Sequence, residues 1–192
     1  RTHQAVMAGL KYLFYSVAGA FLALFGIFFL AGIAESLTFV PGGTVTREII
    51  AGKEGLFLGA VVCMIIGFGA KAGMFPLHGW LPTAHPEAPA PASAVLSGII
   101  TKSGVLAVIR VVFYIVGPDN LRGTWVQNVW ILLSLLTVFM GSMLAYKEPM
   151  LKKRLAYSTV SQVSYILFGL SVLNPVAFAG ALSHVMFHSL IK

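Results

Sequence analysis

Charge is what this sequence has least of. Of its 192 residues only 10% are charged, where an ordinary soluble domain carries about 25%. That shortage excludes a two-layer soluble fold, which needs a charged exterior. Cysteine is nearly absent as well: Cys63 stands alone in an apolar run. A single thiol forms no internal disulfide and holds no iron–sulfur cluster, so it reads as a small buried hydrophobe. The six acids, Glu35, Glu48, Glu54, Glu87, Asp119 and Glu148, all fall in connections or at the edges of apolar runs. Residues 67–73, GFGAKAG, follow no strand and lack the G-x-G-x-x-G spacing of a dinucleotide loop. No NADH, flavin or phosphate site is read here. No signal-peptide pattern of the usual form opens the chain. It starts at Arg1 without an initiator Met and stops at Lys192 inside an apolar periodic segment, as expected of a piece of a longer protein.

What is present is apolar. Hydrophobic residues make up 58% and mean hydropathy is +0.89, which predicts an all-α, polytopic membrane protein. Thirteen Lys and Arg against six acids give a net charge of +7 and a pI near 9.8. The basic residues are scattered between apolar runs rather than gathered on one face, so they mark membrane sidedness and not a nucleic-acid surface.

About six spans are expected, at about 20 apolar residues per crossing. They cover residues 12–34, 55–82, 91–116, 124–146, 155–173 and 176–192, all within one transmembrane domain, 1–192. Lys11 stands at the entrance of the first and reads as an interfacial, snorkelling lysine. The 35–54 connection, rich in turn residues, reads as a solvent-exposed loop with room for a short helix. The second span is expected to be broken around Lys71, because Gly67, Gly69, Gly73 and Pro76 surround it. FPLHGWLP, residues 75–82, should complete that crossing as a half-helix with Trp80 at the interface. Trp125 and Trp130 are expected at the interface where the fourth span begins. Arg110 either snorkels or pairs with an acid. The hydroxyls and Gln162 of AYSTVSQVSY, residues 156–165, either bond neighbouring helices or hold waters.

Counted by side, Arg1, Lys147, Lys152, Lys153 and Arg154 share one face of the membrane. Arg47, Lys53 and Arg122 share the other, diluted by acids. The positive-inside rule therefore puts the N-terminal end and the 147–154 loop in the cytoplasm.

The chemistry lies in cations at membrane depth. Lys102 is eleven residues into its span, roughly 16 Å along a helix, where snorkelling does not easily reach water. His184, His188 and Lys192 follow one another at spacings of four and share one helix face. Lysines whose charge is disfavoured by burial, and histidines, both exchange protons near neutral pH. Lys71, Lys102, His184, His188 and Lys192 therefore read as a proton relay, with His78 a weaker candidate for proton access. Metal is the rival for the two histidines, but H-x-x-x-H lacks here the Glu of a zinc protease and a third ligand; packing histidines are the other alternative. No metal site is expected.

These residues resemble a known family. FGAKAGMFPLHGWLPTAHPEAPAPASAVLSGIITKSGVLAVIR, LKKRLAYSTVSQVSYILFGL and HVMFHSLIK, in this order, are similar to the antiporter-like subunits of respiratory complex I (its NADH-quinone oxidoreductase L-, M- and N-type subunits). The same family takes in membrane subunits of hydrogenases and formate hydrogenlyase and of multisubunit cation/proton antiporters. The resemblance spans nearly the whole chain; the Glu35–Glu54 loop carries no signature. It implies a bundle of about fourteen helices, of which these would be the sixth to the eleventh. It also implies that Lys71 is the lysine of the broken seventh helix, Lys102 that of the eighth, and His184, His188 and Lys192 the motif of the eleventh. The family's fifth-helix glutamate, the partner expected for Lys71, would lie upstream of Arg1; the end of the relay would lie beyond Lys192. Many complex I members have Asp in a WLPDA motif where Thr83 stands here, which points toward hydrogenase-like or antiporter-like relatives.

The function implied is proton or Na⁺ translocation within an NADH-quinone oxidoreductase or related hydrogenase complex, in a bacterial or archaeal inner membrane. Partners would be other membrane subunits and the lipid bilayer, with no nucleic acid. This chain would carry no cofactor, the redox sites of the oxidoreductase lying in other subunits. Two alternatives are a subunit of a secondary Na⁺/H⁺ antiporter with no redox driver, and a structural membrane module whose lysines only pair with partners.

Overall fold

The computed structural model describes residues 2–192 and is about 80% helical, with no strand among the described residues. Arg1, counted above with the cytoplasmic charges, lies outside the described residues. The order is α1 (His3–Ile33), α2 (Arg47–Ile50), α3 (Glu54–Ala72), α4 (Leu81–Glu87), α5 (Ala90–Val116), α6 (Pro118–Leu121), α7 (Trp125–Lys147), α8 (Leu151–Ser171) and α9 (Pro175–Ile191). Four of these, α1, α3, α5 and α7, are long and apolar enough to cross a membrane. The fifth long helix, α8, has 21 residues but carries a polar, basic start; α9 is a shorter apolar helix of 17.

Helix α1 begins at His3, well before the expected Tyr12. Thr2 caps it, its hydroxyl accepting from the Ala5 amide at 3.3 Å. At 31 residues it is about 46 Å long. One face lies against α3 through small residues. A Cβ at Gly67 would sit 2.6 Å from the Gly19 carbonyl oxygen, and one at Gly26 2.5 Å from that of Ala60. Close backbone approach of this kind holds helices together where lipid offers no hydrophobic contrast.

The second span departs from expectation. Helix α3 stays regular through Lys71 and stops at Gly73, which takes the left-handed conformation (φ 90°) that glycine tolerates. Residues 74–80 are turns rather than a half-helix, and regular structure resumes only at Leu81. Trp80 is not at an interface: it is 1% exposed, and its indole N–H donates to the Ala70 carbonyl at 2.9 Å. The indole thus satisfies internally the polar need that the aromatic-belt reading assigned to headgroups. Trp130 is buried to the same degree, while Trp125 is exposed.

Helix α5 contains two π-type stretches, Leu96–Ile100 and Val112–Val116, which the apolar periodicity gave no sign of. Such widened turns recur at functional sites. At the second, the carbonyls of Phe113, Tyr114 and Ile115 accept from the amides of Gly42, Val40 and both Thr44 and Val45. The 35–54 connection is therefore stitched onto the end of α5, with Val45 and Ile50 buried, and is not a free solvent loop. Arg110 lies over the Phe39 ring, 5.6 Å from its centre.

Helices α7 and α8 pack as an antiparallel pair. Here the hydroxyl row of α8 bonds neighbouring helices: Ser161 meets Ser142 at 2.9 Å, and Thr159 meets Ser97 of α5 at 3.0 Å. In the 147–154 turn Lys153 pairs with Glu148 at 3.0 Å. That hydrogen bond holds the Glu148 carboxyl below its ordinary range, so the contact is in place at neutral pH and is lost as pH falls through that lowered value.

Candidate functional site

Two groups of polar side chains sit inside this apolar frame. The first surrounds Lys71. Lys71 lies in the last turn of α3, half-buried, where the chain is about to stop being helical. Its ammonium donates to the Tyr12 hydroxyl of α1 at 2.8 Å and lies 5.0 Å from the Tyr12 ring centre. Tyr12 in turn meets the Trp80 ring edge-on at 5.2 Å between centroids. Since Trp80 bonds the carbonyl of Ala70, the residue before Lys71, three elements close on one amine.

The second group gathers where α4, α5, α8 and α9 meet. Lys102 is 8% exposed, and its ammonium donates to the Ser97 carbonyl within the first π-type stretch. The Thr101 hydroxyl donates to that same carbonyl at 3.0 Å. His188, 4% exposed, lies within electrostatic reach of Lys102, Lys192 and His184. The His184 and His188 rings stack almost parallel, 6.1 Å apart, as their four-residue spacing requires. Lys192 donates to the Leu155 carbonyl at 3.1 Å and brings the end of α9 to the start of α8. Ser189 donates to the Gly98 carbonyl at 3.3 Å and ties α9 to the π-type stretch.

The sequence-predicted residues thus divide. Lys102, His184, His188 and Lys192 are brought together; the Lys71 amine turns to Tyr12 instead. The two groups are joined through backbone: Gly104, two residues past Lys102, lies so near the Lys71 turn that a Cβ there would be 2.7 Å from Ala72 N. His78 stacks on Phe75, 5.9 Å between centroids, and no hydrogen bond links it to either group among the described residues.

His85 and Tyr12 escaped the sequence reading. His85 is 4% exposed, its Nδ1 lies 2.6 Å from the Ser93 hydroxyl, and it is within electrostatic reach of Lys192. It was hidden in a proline-rich stretch that reads as turns. Tyr12 was hidden in an uncharged span. A tyrosine seven residues before Gly19 on the small-residue face was the available signal.

Several ring nitrogens of these groups stand without a partner. His85 Nε2, His184 Nε2 and both ring nitrogens of His188 are buried with no hydrogen-bond partner among the described residues. Each leaves a nitrogen able to take or give a proton. The described residues hold two ion pairs, Arg122–Asp119 and Lys153–Glu148, and neither includes Lys71, Lys102 or Lys192. No group of three His, Cys, Asp or Glu side chains is placed to hold a metal among the described residues.

With this geometry in hand, comparison with known proteins is informative. The family model described as NADH:quinone oxidoreductase/Mrp antiporter, TM, matches residues 1–192. NADH-quinone oxidoreductase subunit N of Desulforudis audaxviator is 32% identical over 190 residues, covering 98% of this chain and 37% of that protein. Hydrogenase-4 component B of Escherichia coli is 34% identical over 199 residues, covering 98% of this chain and 29% of that protein. The chain therefore spans about a third of the length of these relatives. Among solved structures, the Mrp complex from Dietzia sp. aligns with a TM-score of 0.84 at 23% identity, covering 99% of this chain and 34% of that one. Respiratory complex I from Thermus thermophilus aligns at 0.75 and 24%, covering 100% and 40%. At these identities the structural likeness speaks for the fold.

Proposed function

Because the chain belongs to the NADH:quinone oxidoreductase/Mrp antiporter transmembrane family, we propose that it moves protons, or Na⁺, across a membrane as part of an antiporter-like subunit of a multisubunit complex. The observation that carries this reading is a set of bases with no acid paired to them among the described residues: half-buried Lys71 on α3, then buried Lys102 on α5 with buried His188 on α9 and half-buried Lys192 at its end. Charged groups at membrane depth are costly and persist where they serve a path.

In this reading all six segments cross the membrane, as one domain within the larger bundle of about fourteen helices, with the 147–154 loop on the cytoplasmic side. The short α9 and the polar α8 cross only because neighbouring helices cover their polar faces. Lys71 holds a proton while paired with an acid from outside this segment. Loss of that pairing lowers its proton affinity, and the proton passes to Lys102 and the His184–His188 face. Each unit of pKa moved needs about 1.4 kcal/mol, so one ion pair made or lost in a low dielectric is sufficient. The chain binds no cofactor; electrons, where they drive the process, run through partner subunits. The family name also spans Mrp antiporters, which keeps a second reading in play: exchange of Na⁺ for protons with no redox driver.

The test uses inverted vesicles from cells with and without the full-length subunit, supplied in turn with NADH, formate or a Na⁺ gradient. One driver should give proton uptake, seen by dye quenching, that depends on the subunit. A Lys152→Cys variant in the same vesicles should react with a membrane-impermeant maleimide. If no driver gives subunit-dependent uptake, the transport reading fails; if Lys152→Cys reacts only in right-side-out vesicles, the orientation is reversed.

A further inference from the structure

Lys71 has no acidic partner among the described residues, yet its amine is not loose. Its side-chain hydrogen-bond partner is the Tyr12 hydroxyl, at 2.8 Å, and the contact joins residues 59 apart in sequence. The phenol is itself constrained. Its ring meets Trp80 edge-on, and Trp80 is anchored to the Ala70 carbonyl on the helix that carries Lys71. The loop closes on itself: α3 to Trp80, Trp80 to Tyr12, Tyr12 back to α3. Trp80 is fully buried and Ala70 nearly so, which leaves this circuit little room to relax.

A hydroxyl suits this position better than a carboxylate. Its oxygen accepts from a lysine ammonium, and its O–H donates to the lone pair of a neutral amine. The same contact therefore survives when Lys71 changes protonation state. The proton leaves the Lys71 nitrogen for the next carrier, the phenol keeps its own proton, and the N–H···O bond is replaced by O–H···N. A carboxylate in the same place would favour the charged amine and trap the proton.

We infer that Tyr12, braced by Trp80, is the positioning residue that holds the Lys71 amine in place in both its charged and its neutral form. The inference rests on the reading of Lys71 as a proton carrier. Without the hydroxyl the flexible four-carbon stem would have to find its geometry anew in each cycle, and misplacement by about 1 Å is enough to slow transfer severely.

The variant that isolates the hydroxyl is Tyr12→Phe, which keeps the ring, its packing on Trp80 and its contact with the ammonium. In the full-length subunit within its intact complex, driven proton uptake should fall about ten- to a hundred-fold, the scale of one hydrogen bond to a charged group. The amount of assembled complex should be unchanged. Trp80→Phe, which removes the indole N–H together with the five-membered ring that carries it and so loosens the brace on Tyr12, should lower uptake in the same direction and by less. An independent readout is infrared: the phenol C–O band assigned to Tyr12 by wild-type minus Tyr12→Phe difference spectra should shift in Lys71→Met. Wild-type uptake in Tyr12→Phe overturns the inference, and so does a Tyr12 band indifferent to Lys71→Met. If the band shifts while Lys71→Met itself pumps normally, the contact exists but Lys71 is not a carrier, and the functional reading is what falls.

Discussion

Lys71→Ala should abolish driven proton uptake, to less than a tenth of wild type, while leaving the complex assembled. Two magnitudes decide that the protein survives the change. Removing the ammonium forfeits a charge-assisted hydrogen bond to Tyr12, about 1.5–3 kcal/mol. It also removes a charge whose place in a membrane span costs about 2.5–3.5 kcal/mol on insertion scales. The two nearly cancel, and the outside acid left without its partner takes up a proton rather than staying as a bare charge, so assembly should hold. Transport has no such compensation, since alanine carries no proton. Blue-native electrophoresis for assembly, beside uptake in inverted vesicles, separates the outcomes. Loss of the complex would instead favour a structural module whose lysines pair with partner subunits.

Gly104→Ala should slow uptake by ten- to a hundred-fold without touching a titratable group. The added Cβ would lie 2.7 Å from both Ala72 N and the Phe68 carbonyl oxygen, and 3.1 Å from the Lys71 carbonyl carbon. All three are backbone atoms of α3, so no side-chain rotation relieves the clash. Helix α5 must move away by nearly 1 Å, carrying Lys102 with it, and displacements of that size cost about a hundred-fold when reacting groups must meet. Overpacking should also lower stability by about 1–3 kcal/mol. Gly59→Ala on α3 is the control, because nothing lies within 4 Å of a Cβ there. It should leave uptake unchanged and stabilise slightly, as Gly→Ala in a helix does. Equal behaviour of the two variants would show that α3–α5 spacing does not set the rate.

The placement of most candidate residues was readable without coordinates, because a lysine inside an apolar run is conspicuous against a background so poor in charge. Lys102 is buried as its place in the span required, and His184 and His188 share a face as their spacing required. What escaped depends on partners distant in sequence. Tyr12 is one aromatic residue among many until α1 crosses α3 and sets it against Lys71. Trp80 and Trp130 follow the sequence rule for interfacial aromatics, but packing buries both. The π-type stretches of α5 are shifts in backbone pairing that hydropathy does not register. The 35–54 connection reads as solvent loop because its hydrogen-bond acceptors, the carbonyls of residues 113–115, are supplied by a helix far along the chain.

The most direct test of the central claim, that the buried cations conduct rather than support, is Lys102→Met. Methionine matches the lysine stem in shape and has no charge, so it removes the titratable amine and leaves the packing. Lys102 is 8% exposed and its ammonium donates to the Ser97 carbonyl, with no acid paired to it among the described residues, so the neutral variant should be at least as heat-stable as wild type. Protons moved per turnover of the driver would be counted in vesicles holding equal amounts of the two complexes. A ratio at least ten-fold lower in Lys102→Met, with stability kept or raised, is what the relay predicts. A wild-type ratio, or a complex that falls apart without the charge, would contradict it.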